Sequence, residues 1–227
     1  AAPMVEAGLW YRPSYYPKIG EYDWLQSCNR EVLSVRQNVG ICDVSTLGKI
    51  ELHGKDAAQF LDFVYANSFS SLAVGRVRYG LMLREDGFVM DDGTSARISE
   101  NSYLMTTTTA AAGSVMRHLD FVHQAYLPEL NVKFVSVTEQ WAQFAVSGPK
   151  SVDIISSVMD GPFDVKDWPF MACGEVKVVG IKARLFRISF SGELGFELAI
   201  PSRFGSSLFN VLKFEAEQRG GGVYGME

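Results

Sequence analysis

The chain has 227 residues, 47% of them hydrophobic and 21% charged, and a net charge of -5. That is long enough for one large domain or two intertwined ones around a real core. An acidic balance without a run of Lys and Arg argues against nucleic acid or an anionic membrane as partner. Cys28, Cys42 and Cys173 lack CxxC spacing and read as reduced, buried thiols of a cytoplasm-like compartment. His53, His118 and His123 assemble neither a zinc site nor a Ser-His-Asp pattern, and no apolar run reaches membrane-spanning length. The opening Ala1-Ala2-Pro3 and the stop soon after Gly220-Gly221-Gly222 read as the ends of a segment of something longer.

In chain order, residues 10–17 (WYRPSYYP) form an aromatic, proline-rich arm whose rings must pack on something, within the chain or on a partner. Over 21–39, Trp24, Cys28, Val32, Val35 and Val39 recur at helical spacing, with Gly40 as a C-terminal stop. Short strands are expected over 41–44 and 48–53, then a helix over 54–65 with Ala57, Phe60, Leu61 and Val64 on one side. A strand over 103–107 leads to a helix capped by Thr108 or Thr109 and ended by Pro128, with Val115, Leu119, Val122 and Tyr126 as its buried stripe. Residues 131–137 and 140–146 read as a second pair of strands, and Pro149 opens a helix carrying Val152, Ile155 and Val158. Strands over 175–179, 182–190 and 195–200 precede a last helix from Pro201 to Arg219. The order is mixed α+β with antiparallel hairpins, and any subdivision must be discontinuous because no Gly/Ser linker separates two halves.

Residues 77–97 (VRYGLMLREDGFVMDDGTSAR) are the most informative stretch. Apolar runs at 79–83 and 88–90 flank Arg84-Glu85-Asp86-Gly87, a hairpin whose Asp-Gly sits where a tight turn needs positive φ. The second strand carries Asp91 and Asp92. Since neighbours on a strand point to opposite faces, one of the two can face inward, and a buried carboxylate must be hydrogen-bonded, paired or aimed at a polar ligand. The plainer reading makes one solvated and the other a turn cap or a partner of Arg78, Arg84 or Arg97. At 191–197 (SGELGFE), Gly192 and Gly195 suggest a tight turn where backbone approaches a ligand, and Glu197 opens a strand where a carboxylate can accept two N–H donors from a flat heterocycle. A solvent-facing glutamate after a plain turn is the alternative. Thr106–Thr109 offer hydroxyls, although β-branched residues favour strands in any case.

The passages at 8–17 (GLWYRPSYYP), 39–54 (VGICDVSTLGKIELHG), 75–93 (GRVRYGLMLREDGFVMDDG), 138–150 (TEQWAQFAVSGPK) and 190–198 (FSGELGFEL) resemble the folate-binding aminomethyltransferase family, the glycine-cleavage T-protein and its relatives, and within it the sarcosine oxidase α-subunit branch. The resemblance implies a T-protein-like, discontinuous two-lobed α+β fold with antiparallel sheets and packed helices, lacking the family's C-terminal barrel. One lobe would hold residues 1–52 and 145–227, the other 53–144. It implies tetrahydrofolate as cofactor, with Asp92 beside the reduced pteridine nitrogens as the catalytic acid. Tyr79, Glu197, Thr108, Phe190 and Leu47 would line the folate site, Glu197 gripping the pterin ring. Thr108 stands where the T-protein has an asparagine, and Phe190 where it has a tyrosine. The implied reaction moves a one-carbon unit from the iminium of oxidised sarcosine to tetrahydrofolate, giving 5,10-methylenetetrahydrofolate and glycine. The implied partners are the flavin-carrying subunits of a sarcosine oxidase and a small methylamine substrate. A stand-alone folate-dependent demethylase or aminomethyltransferase, or a non-catalytic folate-binding or assembly module, are the alternatives.

Overall fold

The computed structural model describes residues 2–226. The chain divides into two compact units, one built from 2–46, Glu139–Phe170 and 174–226, the other from Leu47–Thr138 with Met171–Cys173.

In the first unit, β1 (Met4–Ala7) and β2 (Trp10–Pro13) form an antiparallel hairpin. The arm is therefore a hairpin rather than a lone extended segment, and its rings do not all find cover: Tyr11 is 68% exposed. Helix α1 (Trp24–Gln37) starts at Asp23, whose carboxylate accepts the Gln26 N–H at 2.8 Å. Its buried face is Ser27, Cys28, Glu31 and Val35, whereas Trp24 and Val32 of the expected stripe are exposed. The helix is rotated because the Glu31 carboxylate accepts the backbone N–H of Tyr16 at 2.6 Å and of Gly225 at 2.8 Å, which outweighs the apolar periodicity. Gly40 does not end the helix but begins β3 (Gly40–Asp43), where a Cβ would strike Val35 and Tyr224.

The second unit opens with β4 (Gly48–His53), followed by α2 (Ala57–Val64) and the hairpin of β5 (Val77–Leu83) and β6 (Val89–Ser99). Then come β7 (Ser102–Thr107), α3 (Ala112–Ala125) and β8 (Lys133–Ser136). These make a five-stranded sheet in the order β5-β6-β7-β4-β8. Ala57, Phe60, Leu61 and Val64 of α2 are all buried, as the sequence spacing requires. They pack with Val115, Leu119 and Val122 of α3 against Ile50, Leu52, Met82, Tyr103 and Met105 of the sheet. Burying each Val, Leu, Ile, Phe or Met among them stabilises the unit by about 1.5–3 kcal/mol. Tyr126 is exposed, lying just past the end of α3, and a 3-10 turn at Thr109–Ala111 precedes the helix, so neither threonine side chain caps it.

The remaining elements return to the first unit: β9 (Trp141–Ser147), α4 (Ser151–Val158), β10 (Cys173–Val178), β11 (Ile181–Phe186), β12 (Gly195–Pro201), α5 (Gly205–Gln218) and the short β13 (Gly222–Val223). Their sheet, with β3, has the order β10-β11-β12-β9-β3-β13. Phe144, Val146, Phe196, Leu198 and Ile200 of the sheet meet Ile154, Ile155 and Val158 of α4 and Leu208, Leu212 and Ala216 of α5. β8 and β9, expected to pair with each other, do not: β8 pairs with β4, and β9 lies between β12 and β3. All three cysteines are free and buried, and no helix of the described residues is long and apolar enough to cross a membrane.

Candidate functional site

The five- and six-stranded sheets each turn an apolar face to helices, and Tyr79, Asp92 and Glu197 lie on the opposite faces. In the β5–β6 hairpin the turn forms as the sequence requires: Gly87 takes φ +83° and its N–H donates to the Arg84 carbonyl at 2.9 Å. Pairing Leu81 with Asp92 and Tyr79 with Thr94 puts these four side chains on one face. Gly80, Met82, Asp91 and Gly93 take the other, toward the helices, where a Cβ on Gly80 would strike the Tyr65 and Phe69 rings.

The inward member of the acidic pair is thus Asp91, 7% exposed, and the outward one is Asp92. Alternation along the strand leaves open which of the two faces inward, and the pairing with Met82 makes it Asp91. Asp91 has a structural account: its Oδ2 accepts the Thr108 backbone N–H at 3.2 Å, tying β6 to the end of β7. Burial holds its pKa above the usual carboxylate range, with hydrogen bonds from Thr108 opposing that shift. Asp92 is held otherwise. The Tyr79 hydroxyl donates to its Oδ2 at 2.7 Å, and that bond keeps the Tyr79 phenol above its ordinary pKa. An exposed carboxylate with one oxygen engaged keeps lone pairs free for a ligand N–H or a cation.

The same polar face continues across the unit. Thr94 and Thr106 share a 2.8 Å hydroxyl contact, and Lys49, paired opposite Thr106, is fully buried with its Nζ 3.0 Å from the Leu47 carbonyl. Leu47 itself is half-buried, and Thr108 is exposed, its backbone N–H donating to Asp91.

In the first unit, β12 pairs Glu197 with Ala145 of β9, and β3 pairs Cys42 with the same Ala145, so Glu197, Gln143 and Cys42 share the face turned away from α4 and α5. Glu197 is 9% exposed and its Oε2 accepts a short hydrogen bond from Gln143 Nε2. Burial pushes the Cys42 thiol up to about 12, so it is an inert, protonated group. Gly192 adopts φ +80° in the turn before β12, as that turn requires, and Glu193 pairs with Arg36 at 2.7 Å. Phe190 is 98% exposed.

Of the expected site residues, the structure joins Tyr79 to Asp92 and links Thr108 to Asp91; Leu47 lies on the strand approach to Lys49. Glu197 and Phe190 belong to the other unit. Lys49 and Gln143 were not singled out from the sequence. Both occupy polar positions in strands and read there as solvent-facing, and only the covering of that face makes them exceptional.

The chain matches the model of the GCVT N-terminal domain over residues 1–227. It is 51% identical to the sarcosine oxidase subunit alpha of Rhizobium meliloti (strain 1021) over 100% of its own length and 23% of that protein. It is 28% identical to an aminomethyltransferase of Thermotoga sp. (strain RQ2), over 93% of this chain and 54% of that one. Its fold superposes on the crystal structure of the glycine cleavage system aminomethyltransferase T from Bartonella henselae with a TM-score of 0.82 at 20% identity, covering 99% of this chain and 56% of that one. The chain therefore spans about a quarter to about half the length of these relatives.

Proposed function

Since the chain belongs to the GCVT N-terminal domain family, we propose that it is the tetrahydrofolate-dependent one-carbon transfer domain of a sarcosine oxidase, converting the iminium of oxidised sarcosine and tetrahydrofolate to 5,10-methylenetetrahydrofolate and glycine. The likeness to a sarcosine oxidase subunit over the whole chain supports the branch, and flavin-bearing subunits are then its partners. The observation that carries the reading is the exposed Asp92 carboxylate, held by the Tyr79 hydroxyl on the polar face of its sheet.

The residues fit a reduced folate by their chemistry: acceptor carboxylates suit the N–H-rich edge of a pterin, and a tyrosine ring suits its flat face. Bound tetrahydrofolate would supply the amine nucleophile. Asp92 would accept a proton from that amine or orient it, and its negative charge would stabilise the cationic one-carbon adduct as charge develops. Tyr79 would keep Asp92 in one rotamer, so that no reorganisation is needed when the substrate arrives. Glu197 would accept N–H donors of the heterocycle and fix its orientation, with Leu47, Thr108 and Phe190 as lining residues. Three buried free thiols agree with a reducing, cytoplasm-like compartment.

The test couples the chain to a flavin-bearing, sarcosine-oxidising assembly and scores 5,10-methylenetetrahydrofolate against free formaldehyde. Asp92→Asn should leave folate bound while product shifts to formaldehyde. Unchanged partition in that variant removes Asp92 from catalysis, and a chain that binds folate without ever altering the partition is a binding module instead.

A further inference from the structure

We infer that Thr94 and Thr106 set an oxidation-state specificity on the face that carries Asp92. Their hydroxyl protons are committed within the sheet, which leaves a surface of hydrogen-bond acceptors that takes a heterocycle whose ring nitrogens carry hydrogen and rejects one whose ring nitrogens carry lone pairs. The inference rests on the folate reading above. The β6–β7 register runs from Ser99 opposite Ser102 as far as Ser95 opposite Met105. One residue closer to Asp92, the Thr106 side chain joins the strands: its Oγ1 receives the Thr94 N–H at 3.0 Å, donates to the Thr94 carbonyl at 3.2 Å and lies 2.8 Å from Thr94 Oγ1. A hydroxyl has one proton and two acceptor lone pairs. All three contacts are met together only if the Thr106 proton goes to the carbonyl and the Thr94 proton goes to Thr106.

The neighbouring side chains are committed in the same way. Tyr79, opposite Thr94 in the β5–β6 register, gives its phenolic proton to Asp92. Thr94 is half-buried, and Tyr79 and Asp92 are exposed, so these three side chains meet a ligand with lone pairs and no proton to offer. Lys49, opposite Thr106 on β4, is a donor in the same row but is fully buried and closed to a ligand. In a tetrahydropterin the ring nitrogens N5 and N8 bear hydrogen and can donate to such oxygens. In the oxidised ring both are acceptors, and lone pair then opposes lone pair. A site built to receive a donor rejects the analogue lacking it far more strongly than an apolar wall rejects a lost methylene.

The experiment titrates the full chain by calorimetry with tetrahydrofolate, kept anaerobic, and with folic acid, for the wild type, Thr106→Val, Thr106→Ser and Thr94→Val. The wild type should prefer tetrahydrofolate. Thr106→Val returns a proton to the Thr94 hydroxyl and should narrow that preference about fivefold to tenfold, the worth of one hydrogen bond, mainly through tighter folic acid. Thr106→Ser keeps the hydroxyl and should keep the wild-type ratio. Thr94→Val removes the acceptor and should narrow the preference through weaker tetrahydrofolate. It leaves the Thr106 hydroxyl on the main chain of residue 94, so it decides the matter if Thr106→Val does not fold. A ratio unchanged in Thr94→Val and Thr106→Val, or lost equally in Thr106→Ser, marks the pair as merely structural and overturns the inference. A wild type that binds both ligands equally overturns the inference alone, whereas failure to bind either removes the folate reading and the inference with it.

Discussion

Asp91 and Asp92 leave β6 on opposite faces, one carboxylate buried against the Thr108 backbone N–H and the other exposed and bound by the Tyr79 hydroxyl. The two acids are thereby separated into different tasks, and pH distinguishes them. Burial raises the pKa of Asp91 in the folded state, so the folded chain binds a proton there that the unfolded chain releases near the ordinary carboxylate value of about 3.9. Stability then falls as pH rises from that value through the raised folded one, because the folded state holds more protons across the window. Asp91→Asn should abolish this loss. In urea unfolding between pH 3.5 and 7, the stability of wild type relative to Asp91→Asn should decline with rising pH; a flat difference would contradict the burial of the charge.

Tyr79 reports on Asp92 from the other side. The hydrogen bond to Asp92 stabilises the protonated phenol, so its pKa lies above the ordinary value of about 10 and the contact is kept below that pH and lost as pH climbs through the raised value. Asp92→Asn should bring the Tyr79 titration back toward the ordinary range, read by NMR of ring-labelled tyrosine. Tyr79→Phe should leave the fold intact, since the side chain is 47% exposed, yet move the product balance toward formaldehyde by freeing the Asp92 rotamer.

What could be read from the chain alone divides along a physical line. The stripe of Ala57, Phe60, Leu61 and Val64 and the Gly87 turn are set by residues within one turn of helix or one hairpin, and both form as the pattern dictates. Helix α1 buries Cys28 and Val35 of its apolar stripe but leaves Trp24 and Val32 exposed, because Glu31 is drawn inward by N–H donors at positions 16 and 225, a long-range demand that periodicity cannot contain. The parting of β8 and β9 into different sheets has the same origin: adjacent strands read as a hairpin until their partners are known. At the site, alternation establishes that Asp91 and Asp92 face opposite ways, but which one faces the core depends on where α2 and α3 pack. Lys49 and Gln143 were illegible because polar residues at alternate strand positions normally meet water, and only tertiary structure covers them.

The hairpin tip offers a local test. Gly87 has φ +83° with open space around its missing Cβ, so any penalty of substitution is conformational rather than steric contact with neighbours. Gly87→Ala should destabilise the chain by about 1–2 kcal/mol, read as a lower urea midpoint at unchanged slope. Gly87→Asn, which tolerates the left-handed region, should recover most of that loss; equal loss in both variants would mean that the turn is not held at positive φ.

Glu31 joins three separate parts of the first unit. Its carboxylate is 5% exposed and receives the N–H of Tyr16 from the arm, the N–H of Gly225 from near the chain end and the Arg30 guanidinium at 3.5 Å. The Arg30 side chain in turn reaches the Tyr16 carbonyl at 2.5 Å, so the arm is gripped through both its N–H and its C=O. Glu31→Ala leaves the buried Gly225 N–H and the part-buried Tyr16 N–H without their acceptor, and should cost about 2–4 kcal/mol. Glu31→Gln can satisfy only one of the two through its single carbonyl oxygen and should fall between wild type and Glu31→Ala. Limited proteolysis should then cut first near residues 14–18, where the arm is released, while the urea midpoint of Phe60→Ala, a core deletion costing about 3–5 kcal/mol in the other unit, drops without exposing that segment. Arm cleavage at the same rate in Glu31→Ala and Phe60→Ala would show that the arm is protected by global stability and not by this carboxylate.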